Sequence, residues 1–144
     1  MQPDDFDWKL IGILRNGYLS NSEVAKELGV SEGMIRQRLK KLKESDILRV
    51  RGEINPEVLE QQQLAIVAIN VNESKHLDQK AQEISAVENV LHVMIVSGQF
   101  DILAHVLVDS NKGLVKFLTE KLSAVEGIVA TQSFIILKSI NLYV

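Results

Sequence analysis

Residues 6–14 return apolar side chains at helical intervals. Phe6, Leu10, Ile13 and Leu14 share one side of a segment that Asp4 or Asp5 can cap and Asn16-Gly17 can end. The pattern then recurs. Ser20 or Ser22 can open a short helix with Val24, Ala25 and Leu28 on its apolar face, and Gly29 stops it. Val30 fills the turn. Ser31 caps a further helix with Glu32 in its positive first turn, and Ile35, Leu39 and Leu42, at i, i+4 and i+7, make a buried stripe. After these three helices the period shortens to two. Residues 47–53 (ILRVRGE) alternate apolar and basic side chains and predict a short strand, a wing following the helices. Ile54-Asn55-Pro56 breaks the pattern, and the polar, glutamine-rich residues up to Gln63 read as a connector.

Beyond the connector the alternation is of another kind. Residues 64–71, 90–96, 102–108 and 128–143 are rich in Val and Ile and predict strands, the last broken or extended near Lys138. Residues 74–86 predict a helix burying Leu77, Ala81 and Ile84; residues 111–122 predict another burying Leu114, Val115, Leu118 and Leu122. The order βαββαβ is that of a split-βαβ, ferredoxin-like domain. An internal echo supports it: SAVENV at residues 85–90 recurs as SAVEGI at 123–128, each between a helix and the following strand. The expected organisation is therefore an α+β chain with a winged helix-turn-helix at 1–52, a linker at 53–63 and a ferredoxin-like domain at 64–144. Several strands are apolar on both faces. A sheet with helices on one side leaves its other face wet, so apolar residues there imply a partner surface, most simply a second copy of the chain.

Charge sharpens the reading of the first domain. Arg36, Gln37, Lys40 and Lys41 face away from the stripe of the third helix. Seven Lys or Arg lie between residues 31 and 52 against only Glu32, Glu44 and Asp46, a local excess of four positive charges in a chain whose net charge is -3. Two short helices joined through a glycine turn, the second showing Arg, Gln and Lys to solvent, are suited to a DNA major groove, and a basic patch gains from counterion release. The candidate DNA contacts are Arg36, Gln37, Lys40 and Lys41, helped by Ser22 and Ser31, with Arg49 and Arg51 of the predicted wing placed for phosphates. Trp8 is expected in the core or facing a partner, and carries no chemistry.

Other classes recede. No cysteine is present, which excludes disulfides and thiolate chemistry. No apolar run approaches the ~20 residues of a membrane span, and the acidic start MQPDDFDWKL lacks the features of a signal peptide. A cytoplasmic location without membrane contact is expected. His76, His92 and His105 show no metal-ligand spacing, and no nucleotide-binding loop or Ser-His-Asp arrangement is present.

Four stretches together point to a known family: DDFDWKLIGIL, then LSNSEVAKELGVSEGMIRQRLKKLKESDIL, then INP, and finally VSGQFDILAHVLVD between the second and third predicted strands. The chain resembles the Lrp/AsnC, or feast/famine, transcription regulators over essentially its whole length. The resemblance implies a DNA-binding regulator and no enzyme, dimers formed through the C-terminal sheets, further assembly of dimers into octamers, and near-palindromic operators. It implies no cofactor, but an amino acid or related metabolite as effector, bound where dimers meet beside the loop Gly98, Gln99, Phe100, Asp101. Glycine admits close backbone approach and a carboxylate can accept hydrogen bonds from an α-ammonium group; Thr131 and Ser133 could add hydroxyls. The alternative for that loop is a tight turn in which Asp101 caps backbone amides. Family members commonly carry a glycine where Ser45-Asp46 ends the third helix; Asp46 can take the left-handed conformation in its place. Two other readings stand beside this one. Siroheme decarboxylases share the fold, but Gly98, Phe100 and Asp101 stand where those enzymes show His, Tyr and Asn. A DNA-architectural protein without sequence preference is the other.

Overall fold

Asp4 starts the first helix, α1 (Asp5–Asn16), by a reciprocal cap. Its carboxylate accepts the Asp7 N–H at 2.9 Å and the Asp7 carboxylate accepts the Asp4 N–H at 3.1 Å. The computed structural model describes residues 1–144 apart from the side chain of Ser74. A second capping box, between Ser20 and Glu23, opens α2 (Asn21–Leu28), which Gly29 ends in the left-handed conformation at φ +66°. Ser31 Oγ accepts the Met34 N–H at 3.2 Å and opens α3 (Glu32–Glu44). Leu10, Ile11, Val24, Ala25, Ile35, Leu39 and Leu42 close the core of this unit. Trp8 is 58% exposed and outside it. The helical phase places Asp7 and Ile11 inward instead, and Phe6, Ile13 and Leu14 pack at the margin.

The expected wing strand is not formed. Residues 48–55 carry no regular structure. A strand needs a neighbour for its backbone groups, and no other strand is formed in the first unit. Ile47 and Leu48 instead turn back to the end of α3, both donating to the Leu42 carbonyl at 3.0 and 3.2 Å. Asp46 does take the left-handed conformation, φ +53°.

The chain divides into two units, Met1–Gly52 and Glu53–Val144. Residues 53–63, expected as the linker, have backbone and side-chain partners in the second unit. Ile54 and Val144 exchange both backbone hydrogen bonds at 2.8 and 3.0 Å. Asn55 caps a 3₁₀ turn, Pro56–Val58, and the Ser139 N–H donates to Glu57 at 2.9 Å.

The second unit is a four-stranded antiparallel sheet in the order β2-β3-β1-β4, built from β1 (Gln62–Val71), β2 (Val90–Ile95), β3 (Ile102–Asp109) and β4 (Ile128–Ile135). A 3₁₀ turn, Ser74–His76, leads into α4 (Leu77–Ser85). The last helix is irregular: α5 (Gly113–Lys116) runs into a π-helical turn, Phe117–Lys121, and a 3₁₀ turn, Leu122–Ala124. Ala65, Val67 and Ile69 alternate inward from β1, Ile102, Ala104, Val106 and Val108 from β3, and Ile84, Phe117 and Leu122 cover them. The final strand stops at Ile135 rather than running on to residue 143, and Leu137 and Ile140 beyond it are exposed. The internal echo is structural. Val87 and Val125 each donate to the carbonyl three residues back at 3.0 Å, and Asn89 and Gly127 both sit at positive φ, +75° and +86°.

Candidate DNA-binding surface and effector loop

On α3 the buried side is Ile35, Leu39 and Leu42, and Arg36, Gln37, Lys40 and Lys41 are exposed. Arg36 and Lys40 are held on the helix surface by i, i+4 partners, Glu32 at 2.5 Å and Glu44 at 3.8 Å, with side chains 70% and 73% exposed. Such surface pairs are weak in water and open readily to phosphate. Ser31 uses its hydroxyl on the cap of α3. Ser22 lies in the first turn of α2, 3.1 Å from Ser20 Oγ, and Ser20 is the residue that caps. Arg49 is exposed 3.8 Å from Asp46, and Arg51 is exposed on the irregular segment.

Arg38, which the sequence counts in the basic run, turns the other way. Its Nη1 donates to Asp4 at 2.6 Å and to both oxygens of Asp7 at 3.3 and 3.4 Å, and the guanidinium lies 5.5 Å from the Phe6 ring centroid. Asp7 is 1% exposed. The Asp7 N–H, and after it the Arg38 guanidinium, hold the Asp4 carboxyl below its ordinary value; the same pairing raises Arg38.

In the second unit the loop at Gly98–Asp101 links β2 to β3. Gly98 has φ +138°, Gln99 is exposed, and Phe100 and Asp101 are half-buried. Asp101 fixes the loop to the end of β1. Its Oδ2 accepts the Val71 N–H at 3.0 Å and its N–H donates to the Ile69 carbonyl at 3.1 Å. Thr131 stands opposite Ile69 on the other side of β1, and Ser133 opposite Val67. Thr131 lines a cleft of about 320 Å³ with Leu118, Leu122, Ser123, Val125 and Ile128; none of the loop residues 98–101 lines it. Within one chain, loop and hydroxyls therefore do not converge.

Residues 64–142 match the Lrp/AsnC ligand binding domain, and residues 3–49 match a winged helix-turn-helix DNA-binding domain. This chain belongs to the Lrp/AsnC family. A helix-turn-helix-type transcriptional regulator of Pyrococcus furiosus is 33% identical over 135 residues, covering 92% of this chain and 90% of that protein. The leucine-responsive regulatory protein of Haemophilus influenzae is 30% identical over 142 residues, 96% of this chain and 86% of its own length. Among solved structures, the leucine response regulatory protein of Mycobacterium tuberculosis superposes with a TM-score of 0.81 at 26% identity, covering 95% and 94% of the two chains. As a member of the Lrp/AsnC family the chain is a DNA-binding transcription regulator and not an enzyme.

The same structure shows what spacing alone does not. His92 and His105, which show no metal-ligand spacing in the sequence, are cross-strand neighbours with ring centroids 5.3 Å apart. His105 is 7% exposed, its Nε2 has no hydrogen-bond partner, and burial, with the charge of His92 second, pushes it below its ordinary value. Among the described residues no group of three or more His, Cys, Asp or Glu could hold a metal ion, and no helix is long and apolar enough to cross a membrane.

Proposed function

We propose that this protein is a cytoplasmic regulator that binds near-palindromic operators as a dimer and responds to an amino acid. The observation that carries the DNA half is α3: a fully buried apolar stripe behind, and Arg36, Gln37, Lys40 and Lys41 exposed in front. Ser22, Ser31, Arg49 and Arg51 stand beside it as phosphate partners.

The dimer reading rests on the helix-free face of the sheet. His92, His105, Ile66 and Phe134 follow one another across the strands, with Met94, Leu103 and Ala68 in the next row. Phe134 and Met94 are 44% and 42% exposed. A second sheet packed on this face buries them. Further association of dimers to octamers supplies the surface where the effector sits. There the Gly98–Asp101 loop of one chain meets Thr131 and Ser133 of another, which accounts for their separation within one chain. The relative from Haemophilus is named for its response to leucine, so amino acids come first as candidates.

Selection of duplexes from a random pool, followed by binding with and without each proteinogenic amino acid, tests both halves. A recovered inverted repeat supports the operator reading. Equal binding to all duplexes with a steep salt slope makes it a non-specific architectural protein. An effector present at a hundred to a thousand times its Kd adds about 3–4 kcal/mol to stability, so a thermal shift identifies it. No shift with any amino acid removes the amino-acid reading.

A further inference from the structure

We propose that Arg38 is a positioning residue for operator recognition: it fixes the register of α3 against α1 through Asp4 and Asp7, and leaves DNA contact to its neighbours. The proposal rests on the DNA-binding reading of α3.

Position on the helix is the first argument. At about 100° per residue, the face opposite the buried stripe is centred on Gln37, Lys40 and Lys41. Arg38 falls beside the stripe, where its side chain is 29% exposed against 70% for Arg36. Its partners are the second argument. One nitrogen, Nη1, reaches the carboxylates of both members of the α1 capping box, and the guanidinium lies over Phe6 between them. Arg38 therefore grips the entire first turn of α1. Asp7, almost fully buried, has Arg38 as its ion-pair partner beside the Asp4 N–H of the capping box, and removing the guanidinium leaves a buried carboxylate without a cation.

The third argument is what else joins the two helices. Leu10 and Ile11 of α1 meet Ile35, Leu39 and Leu42 of α3 in one apolar cluster. Apolar contact is strong but non-directional, and it tolerates small slides and rotations of one helix on another. A charged donor shared between two carboxylates does not, because its hydrogen bonds depend on distance and angle. Reading base edges needs side chains placed to hydrogen-bond accuracy, which is what the Arg38 clamp supplies to α3.

The test uses the full chain, the tightest duplex that wild type selects from a random pool, and a scrambled duplex of the same length. The variants are Arg38→Met, Arg38→Lys and Asp4→Ser. Serine still caps α1 but cannot reach Arg38 as the carboxylate does. Positioning predicts that all three lose affinity for the selected duplex, at least about tenfold for the Arg38 variants, the scale of one misaligned base contact. Binding to the scrambled duplex and the salt slope stay at wild-type values. A direct phosphate contact predicts otherwise and overturns the proposal: both duplexes weaken together, the slope falls by about 0.9 in Arg38→Met, and lysine restores binding. A loss that vanishes once Kd is corrected for the folded fraction, read from melts at the same temperature, reduces Arg38 to a stabilising residue and also overturns it. Should Arg38→Met not fold, Arg38→Lys and Asp4→Ser still decide. Wild type that selects no duplex fails the DNA-binding reading itself, and the proposal with it.

Discussion

Asp101 fixes the loop to the end of β1, and the proposed effector contact would give the same carboxylate a second task. Its Oδ2 holds the Val71 N–H at 3.0 Å. Replacement by alanine therefore does more than remove a candidate ligand contact: it leaves a half-buried amide without an acceptor, at about 1–3 kcal/mol. Asp101→Ala should lower the melting temperature and abolish the effector response. Asp101→Asn keeps an acceptor for Val71 but not the charge that an ammonium group requires, so it should melt close to wild type and still fail to respond. Equal melting of Asp101→Ala and wild type would show that the amide finds another partner. His105 makes a second prediction at this scale. It lies among Ile66, Leu103 and Leu107, with His92 as its titratable cross-strand neighbour and no carboxylate, lysine or arginine in its own or the adjacent rows of that face. Burial lowers its pKa below the ordinary 6.5. The unfolded chain then binds the proton more readily than the folded one, so stability rises with pH through this window and is lost as pH falls below about 6.5. Melting temperatures measured from about pH 8 to about pH 5.5 should fall, and His105→Met should flatten much of that fall. An unchanged slope would place the sensitivity elsewhere.

At the scale of elements, caps and turns decided what could be read in advance. The three N-terminal helices were legible because each begins with an Asp or Ser that hydrogen-bonds its own first turn and carries an apolar stripe at helical spacing. The strands of the sheet were legible from Val- and Ile-rich runs. The wing strand was not, because alternation in residues 47–53 says nothing about whether a partner strand exists. Nor was the π turn at Phe117–Lys121, since an i+5 hydrogen-bond pattern leaves the apolar residues almost where an α-helix would put them. The role of Arg38 was not legible for a related reason: a charge beside an apolar stripe can turn outward or fold onto a neighbouring element, and only the α1 carboxylates settle which. The glycine turns allow a graded prediction. Gly29 and Gly127 both have positive φ, +66° and +86°, but a Cβ at Gly29 meets open space and one at Gly127 would lie 2.9 Å from Asn72 Oδ1. Gly29→Ala should therefore cost about 1–2 kcal/mol from backbone strain alone, whereas Gly127→Ala should cost more, because Asn72 must move as well. Denaturant titration of the two variants checks the order, and equal losses would mean that Asn72 yields freely.

For the whole molecule the decisive surface is the helix-free face of the sheet. Across it Ile66 lies between His105 on β3 and Phe134 on β4, near the middle of an apolar surface that helices leave bare. A glutamate at position 66 would remain hydrated in a lone chain, since the side chain lies on the face away from the buried Val67 and Ile69. In a dimer formed there, the same glutamate and its symmetry mate would be driven into a largely apolar interface, with His105 and His92 as the ionisable neighbours in its row and no lysine or arginine beside them, a large penalty on association. Ile66→Glu should thus leave the circular dichroism of the fold intact while converting the dimer to monomer in sedimentation. DNA binding should follow. Two recognition helices on one dimer hold both operator half-sites at high effective concentration, and separating them should weaken operator binding by about 100-fold or more, while contact of each α3 with a single half-site persists. The monomer would lose affinity for paired half-sites but not for one half-site alone. A variant that stays dimeric moves the interface off this face. A variant that turns monomeric yet binds the full operator as wild type does would mean that operator affinity does not depend on pairing the two recognition helices.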